Sequence, residues 1–309
     1  MRVASLLLTV LPSPTRPLLS PTSLLHASCA LGRRRFHPLQ LCATQRQSTT
    51  DVSSAAAAAR EHMIDKQNDV LRLECPTPPV LQQGLIETAQ LPHICIAGES
   101  NAGKSSLINH LLNKKSLAKA SSVAGKTKSV DMMLVNEQVV LTDLPGLPSR
   151  DHQVAAKWES SWRPLVFQYI RKCKQLRCMV YVHDVRWKVT SYVREFLEEV
   201  EENGLPILLV LSKDDRIVNI LKDADRQTPE EERTNEIALR ERMMTRIRRA
   251  LGFDGVHLHY STDSSKPASR KARRRLLRYI ESVTQTASRE ETRELLESIA
   301  EDKFRPRLD

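Results

Sequence analysis

Gly98-Glu99-Ser100-Asn101-Ala102-Gly103-Lys104-Ser105 satisfies the spacing G-x-x-x-x-G-K-[ST]. An apolar run, His93 to Ala97, comes before it and a helical stretch, about Lys104 to Asn113, comes after. The segment therefore reads as the turn between a strand and a helix. A phosphate cradle needs that context: glycines let the chain curl until successive N–H groups face inward, Lys104 bridges β- and γ-oxygens, and the Ser105 hydroxyl holds Mg²⁺. Ser106, next in the first helical turn, completes the phosphate-side set.

Two further segments take their meaning from this loop. Asp143-Leu144-Pro145-Gly146 closes a second apolar run, 39 residues after Lys104. An aspartate at a strand end can reach the Mg²⁺ shell, and Gly146 leaves room for its amide to address a γ-phosphate. Ser212-Lys213-Asp214-Asp215 follows the run Pro206 to Leu211. The Asp215 carboxylate, expected to be buried, can accept from guanine N1–H and from the N2 amino group, whereas adenine offers an unprotonated N1; GTP and GDP are thereby favoured over adenine nucleotides. Most GTPases carry Asn where Ser212 stands. Ser261 and Thr262, after the run Val256 to Tyr260, complete the base-side set by supporting guanine O6 through their loop.

Working outward, short apolar runs alternate with amphipathic stretches from residue 92, the pattern of a parallel sheet with crossover helices. Strands are expected at His93–Ala97, Met132–Val135, Gln138–Thr142, Cys178–His183, Pro206–Leu211 and Val256–Tyr260. Helices are expected at about Lys104–Asn113, Val154–Cys173, Thr190–Asn203, Pro229–Leu251 and Ala268–Val283. Thr228-Pro229-Glu230-Glu231 has the composition of a helix start. The fold class is α/β: a P-loop NTPase with a Ras-like G domain, three α/β/α layers around a mostly parallel sheet. The domain reading is a transit peptide over 1–50, a linker or N-terminal extension over 51–90, the G domain over 91–284 and a C-terminal helical extension over 285–309, whose helical pattern at 288–301 stands outside the core count.

Charge is unevenly placed. The chain of 309 residues has a net charge of +10, yet residues 1–50 hold six arginines and no acid; without those six, 41 basic residues face 37 acidic ones. The body is thus only mildly basic. An acid-free start rich in Arg, Ser, Thr, Leu and Pro, with Arg33-Arg34-Arg35-Phe36, has the composition of an organelle transit peptide, mitochondrial first, with plastid and secretory addresses as rivals. The expected location is the mitochondrial matrix. No apolar run near the start approaches the roughly 20 residues of a membrane span. The six cysteines form no CxxC pair and read as reduced thiols.

GESNAGKSSLIN (Gly98 to Asn109), LAKASSVAGKTK (Leu117 to Lys128), DLPG (Asp143 to Gly146), the pair Trp162 and Tyr169, Asp184-x-Arg186 and Ser212-Lys213-x-Asp215 together resemble, in order and spacing, the EngB (YihA) family of translation-factor-class GTPases. The likeness spans about residues 90 to 283. It implies that Thr127, with Gly125 and Lys126 beside it, is a switch threonine that closes onto Mg²⁺ and the γ-phosphate. The metal set is then Ser105, Thr127 and Asp143, and the catalytic set is Lys104, Thr127 and Gly146. It also implies a client, the large ribosomal subunit precursor, with its rRNA and proteins. With the transit peptide, the ribosome is the mitochondrial one, and the protein acts as a monomer on the particle. Departures are Leu147-Pro148-Ser149 where aromatic residues usually follow DLPG, and Ala124 and Lys126 in the switch segment.

Leu147 occupies the place of a water-orienting glutamine and cannot hydrogen-bond a nucleophile, so intrinsic GTP hydrolysis is expected to be slow. Asn101 stands where related potassium-activated GTPases use an asparagine to hold K⁺, making K⁺ a candidate cofactor beside Mg²⁺. Arg270 to Arg278 holds six basic residues in nine and is either a solvated helix face or a contact for rRNA phosphates, which Lys114, Lys115 and Lys119 would extend. Trp162 and Tyr169 share a helical face and read as core, as does His183. Asp184 and Arg186 read as a structural pair beside the nucleotide. Two alternatives stand: a GTP-binding assembly factor with negligible hydrolysis, and an organelle GTPase acting in division or signalling through protein partners.

Overall fold

Strand alternation decides which layer each side chain joins. In the computed structural model, Met179 and Tyr181 of one strand enter one apolar cluster while Cys178, Val180 and Val182 enter the other, on the opposite face of the sheet. The structure describes residues 63–64, 67–115, 117–118, 129–148, 152–216 and 229–304. Of the two units into which the chain divides, Met1–Thr50 and Asp51–Asp309, only the second contains described residues.

The element order is β1 (Val70–Cys75), α1 (Pro78–Glu87), β2 (His93–Gly98), α2 (Lys104–Leu111), β3 (Val130–Val135), β4 (Val139–Asp143), α3 (His152–Lys157), a π-helical turn (Trp158–Trp162), α4 (Arg163–Lys172), β5 (Leu176–Asp184), α5 (Ser191–Glu202), β6 (Ile207–Ser212), a 3-10 turn (Asp214–Arg216), α6 (Pro229–Leu251), β7 (His257–Tyr260), α7 (Pro267–Thr284) and α8 (Arg289–Phe304). The sheet order is β1-β3-β4-β2-β5-β6-β7. β3 runs antiparallel to both β1 and β4, and the remaining pairs are parallel. One cluster lies under α1, α4, α5 and α6, the other under α2, α7 and α8. This is the expected α/β/α sandwich around a mostly parallel sheet.

Two expectations about domain organisation are corrected. The 51–90 segment is not simply a linker: Val70 to Cys75 pair residue by residue with Val135 to Val130, and α1 buries Leu81. The flanking prolines Pro76, Pro78 and Pro79 suggested a linker but in fact punctuate a strand-to-helix turn, since a proline at the first helical position costs no hydrogen bond. The 285–309 extension does not lie outside the core. The Arg289 guanidinium donates to the carbonyls of Ile170, Leu176 and Asn203 at 2.7, 3.1 and 2.9 Å, and Leu296 is buried. Five donors on a planar group let one arginine satisfy carbonyls at the ends of three elements.

Trp162 and Tyr169 are both buried, as their spacing suggests. The Tyr169 hydroxyl bonds Thr142 Oγ1 at 2.9 Å and His93 Nδ1 at 3.1 Å, fixing α4 against β2 and against the residue before Asp143. The expected long helix over 154–173 is interrupted by the π-helical turn, which turns Trp158 edge-on to Phe196. The described cysteines Cys75, Cys95, Cys173 and Cys178 are free and buried, and burial pushes the Cys178 thiol up to about 12. Among the described residues no helix is long and apolar enough to cross a membrane. Residues 1–50, Lys119, the switch set Gly125, Lys126 and Thr127, and Thr228 lie outside the described residues.

Candidate nucleotide-binding site

β2 ends at Gly98, whose φ of +147° and position against β5 both demand a glycine: a Cβ there would stand 2.2 Å from the Val182 carbonyl oxygen. The loop then turns through Asn101 (φ +66°) and Gly103 (φ +104°) into α2. Lys104 is buried, and its Nζ donates to the carbonyls of Gly98 and Glu99, each at 3.0 Å. Burial lowers the Lys104 pKa, opposed by the Asp143 and Glu99 carboxylates. The ammonium is thus held over the loop's mouth on two neutral acceptors that phosphate oxygens can replace.

Asp143 ends β4 directly below α2. Ser105 Oγ donates to Asp143 Oδ2 at 3.0 Å, while Asp143 Oδ1 is buried without a hydrogen-bond partner. Burial pushes this carboxyl up to about 6, against the pull of Lys104 and Ser105. A hydroxyl beside a carboxylate with an unsatisfied lone pair is a hard-oxygen donor set of the kind Mg²⁺ takes, with water and phosphate filling the remaining positions. The residues present fit the ion.

Beyond Asp143 the chain zips onto the phosphate loop. Leu147 N–H donates to Gly98 O at 3.1 Å and Leu147 O accepts from Ser100 N–H at 3.0 Å. Gly146 passes so close to Ser100 that a Cβ would meet its Oγ at 2.6 Å. The Leu147 side chain is buried in the apolar cluster.

The base-side loop is tied to the same cradle. Ser212 Oγ donates to Ala102 O at 2.6 Å and lies 3.1 Å from His183 O. Lys213, at φ +59°, reaches back to Asn101 O at 2.7 Å and to Asp184 Oδ2 at 2.9 Å. Asp215 sits in the 3-10 turn, half-buried rather than buried as expected, because that turn is at the surface beyond the end of β6. Asp215 and Ser261 line one groove of about 530 Å³; Thr262 lines a smaller cavity with Gly103, Ser106 and Lys213. Every described site residue expected from the sequence is therefore gathered at the ends of β2, β4, β6 and β7.

Some contributors do more than their sequence signal implied. Asp184 is more than the partner of Arg186, whose Nε and Nη2 grip it at 2.8 and 2.6 Å, since it also holds Lys213. Burial raises this carboxyl, but hydrogen bonds from Arg186 and Lys213 outweigh it and hold it below the usual range. Trp187 lies under Lys213 Nζ, 5.5 Å from the ring centre. Glu99 is buried beneath the loop with its Oε2 3.5 Å from His183 Nδ1, and neither atom reaches hydrogen-bond geometry. The D-x-R pattern hinted at Asp184; nothing in the sequence signalled the burial of Glu99.

A family model described as 50S ribosome-binding GTPase matches residues 93–213. The chain is 37% identical over 155 residues to the probable GTP-binding protein EngB of Citrifermentans bemidjiense, covering 50% of this chain and 69% of that protein. The chain belongs to the EngB family. A second EngB relative, from Gemmatimonas aurantiaca, is 31% identical over 170 residues, covering 55% of this chain and 80% of its own length. Against the EngB of Geobacter sp. strain M21 the identity is 37%, with 58% of that protein covered. A crystal structure of a probable GTP-binding protein engB aligns with 60% of this chain and 97% of its own, at 18% identity and a TM-score of 0.40. As an EngB-family member this chain is a GTP-binding protein of a ribosome-assembly GTPase family. Its phosphate loop, DLPG segment and Ser212-Lys213-Asp214-Asp215 loop lie at the ends of β2, β4 and β6.

Proposed function

We propose that this protein is a GTP-dependent assembly factor for the large subunit of the mitochondrial ribosome, which docks on a precursor in its GTP form and leaves after hydrolysis. One observation carries the switch reading. Leu147 and Gly146 bond to, or abut, Gly98 and Ser100, so a γ-phosphate arriving in the loop acts on the very backbone that holds the DLPG segment. The acid-free, arginine-bearing start supports a mitochondrial address.

The chemistry follows from the side chains. Lys104 neutralises charge on the β- and γ-phosphates, Asp215 selects guanine, and Gly146 brings its amide to the γ-phosphate. Ser105 and Asp143, with Thr127, would hold Mg²⁺, which supplies charge neutralisation between the β- and γ-oxygens when bound. Leu147 is buried in the apolar layer and cannot orient water, so turnover by the protein alone is slow. The missing transition-state charge comes from the particle or from K⁺ held near Asn101. Faster turnover in KCl than in NaCl would support the cation; equal rates would exclude it.

The buried Leu147 also favours a second reading, a factor that binds GTP with negligible hydrolysis. Single-turnover assays with and without purified precursor particles separate the two. Co-sedimentation with large-subunit precursors from mitochondria tests the assembly reading itself. Binding to other organelle proteins with no association with those particles would overturn it in favour of a division or signalling role.

A further inference from the structure

We infer that the outer face of α7 is a docking surface for an RNA phosphate backbone, rigidly joined to the phosphate-loop helix. This rests on the assembly reading and deepens it by naming the surface and the partner's chemistry.

The structure sorts the basic cluster of residues 270–278. Arg273 faces inward: its Nε and Nη2 donate to His110 O and Leu111 O at 2.8 and 2.6 Å, capping the C-terminal end of α2. It is spent on the fold. Lys271, Arg274 and Arg278 point to solvent at i, i+3 and i+7, which aligns them along one stripe. Arg275 flanks the stripe, its Nε bonded to the Tyr279 hydroxyl at 3.2 Å. Among the described residues no carboxylate pairs with Arg270, Lys271, Arg274, Arg275 or Arg278. From residue 270 to residue 278 this helix carries one sign, and the stripe meets its first acid at Glu281, three residues after Arg278.

At Lys271 the stripe ends against the base-side groove of about 530 Å³, which Asp214 and Asp215 also line. Lys114 and Lys115, exposed just past α2, lie beyond the end that Arg273 caps. The partner is a polyanion rather than a protein face. Among the described residues the exposed large hydrophobics are Leu71, Val80 and Ile86, all on β1 and α1, and the α7 face carries none of the apolar anchors on which protein interfaces depend. Because Arg273 fastens α7 to the helix that starts at Lys104, the docking face and the nucleotide loop share one rigid element.

The test uses the full chain carrying Arg274→Gln and Arg278→Gln together. A charge-matched control carries Lys172→Gln and Arg194→Gln, both exposed on the opposite layer. Binding of a fluorescein-labelled stem-loop RNA is measured from about 50 to about 200 mM KCl. The stripe variant is expected to bind roughly tenfold more weakly at low salt, with a log–log salt slope shallower by about 2, while GTP affinity and the control stay at the wild-type level. An unchanged slope, equal loss in the control, or wild-type protein that binds anionic phospholipid vesicles but not RNA would each overturn the proposal. If the double variant fails to fold, the single change Arg274→Glu is read in its place, with the same outcomes. Sedimentation with precursor particles is scored separately: particle binding that persists in wild type while the stripe has no effect on RNA overturns this surface alone, and a stripe effect without particle binding overturns the assembly reading alone.

Discussion

Ser212 Oγ donates to the carbonyl oxygen of Ala102 at 2.6 Å, joining the end of β6 to the middle of the phosphate loop. One short side chain at the end of β6 thus reaches both His183 O at the end of β5 and Ala102 O in the phosphate loop. Ser212→Ala leaves these buried acceptors unpaired at a cost of about 1 to 3 kcal/mol, so GDP affinity falls about tenfold or more. Ser212→Thr keeps the oxygen and stays near wild type. Isothermal titration with GDP is the measurement; an alanine variant that binds as tightly as wild type would remove the tether from the account.

Asp215 stands half-buried in the groove that leads to Ser261. Asp215→Asn turns one of its two acceptors into a donor facing the guanine amino group, which costs about 2 to 4 kcal/mol in GTP binding. Xanthine nucleotides, with a carbonyl at that position, should regain affinity in the same variant. A GTP-to-ATP preference identical in the two proteins would show that another residue reads the base.

Gly98 and Gly252 both have positive φ, at +147° and +66°, but their surroundings differ. A Cβ on Gly98 collides with Val182 O at 2.2 Å, whereas one on Gly252 meets nothing within 4 Å. Gly252→Ala should therefore cost only conformational strain, about 1 kcal/mol. Gly98→Ala adds a backbone clash in the centre of the sheet and should cost about 3 kcal/mol or more. Equal losses in melting temperature would refute the close approach of β2 and β5 at this point.

Burial raises the Asp143 carboxyl from the ordinary 3.8 to about 6. Between these values the native state keeps a proton that the unfolded chain has released, so this group erodes stability as pH rises from about 4 to about 6, by up to about 3 kcal/mol. Asp143→Asn lacks this term. Without Mg²⁺ and nucleotide, the melting temperature of the variant relative to wild type should climb across that window and level off above it. With Mg²⁺ and GDP present the order should reverse at neutral pH, because the wild type alone offers the ion a carboxylate. A pH-independent difference would mean that Asp143 is already ionised in the free protein.

The cradle was legible because its chemistry is local. Gly98, Gly103, Lys104 and Ser105 lie within one turn, and Asp143, Ser212 and Asp215 each follow an apolar run that could only be a strand. β1 was not legible. Five of its six residues, Val70 to Glu74, are exposed or half-exposed and include Arg72 and Glu74, so their pattern is weak until β3 supplies hydrogen bonds and Asp131 accepts from Arg72 at 2.5 Å. The tail was misjudged for a similar reason: Arg289 looks like any surface arginine until three carbonyls at the ends of α4, α5 and β5's start converge on it.

From the sequence alone came the three-layer class, the phosphate loop and the residues expected to select a guanine nucleotide, since glycine placement, apolar period and side-chain chemistry act over a few neighbouring positions. The tertiary structure alone decided that Leu147 turns into the apolar layer, that Asp184 anchors Lys213, and that Arg273 holds the fold together while Lys271, Arg274 and Arg278 remain free. Those outcomes depend on which distant backbone atoms arrive beside a given side chain, and only the packed sheet and its helices bring them there.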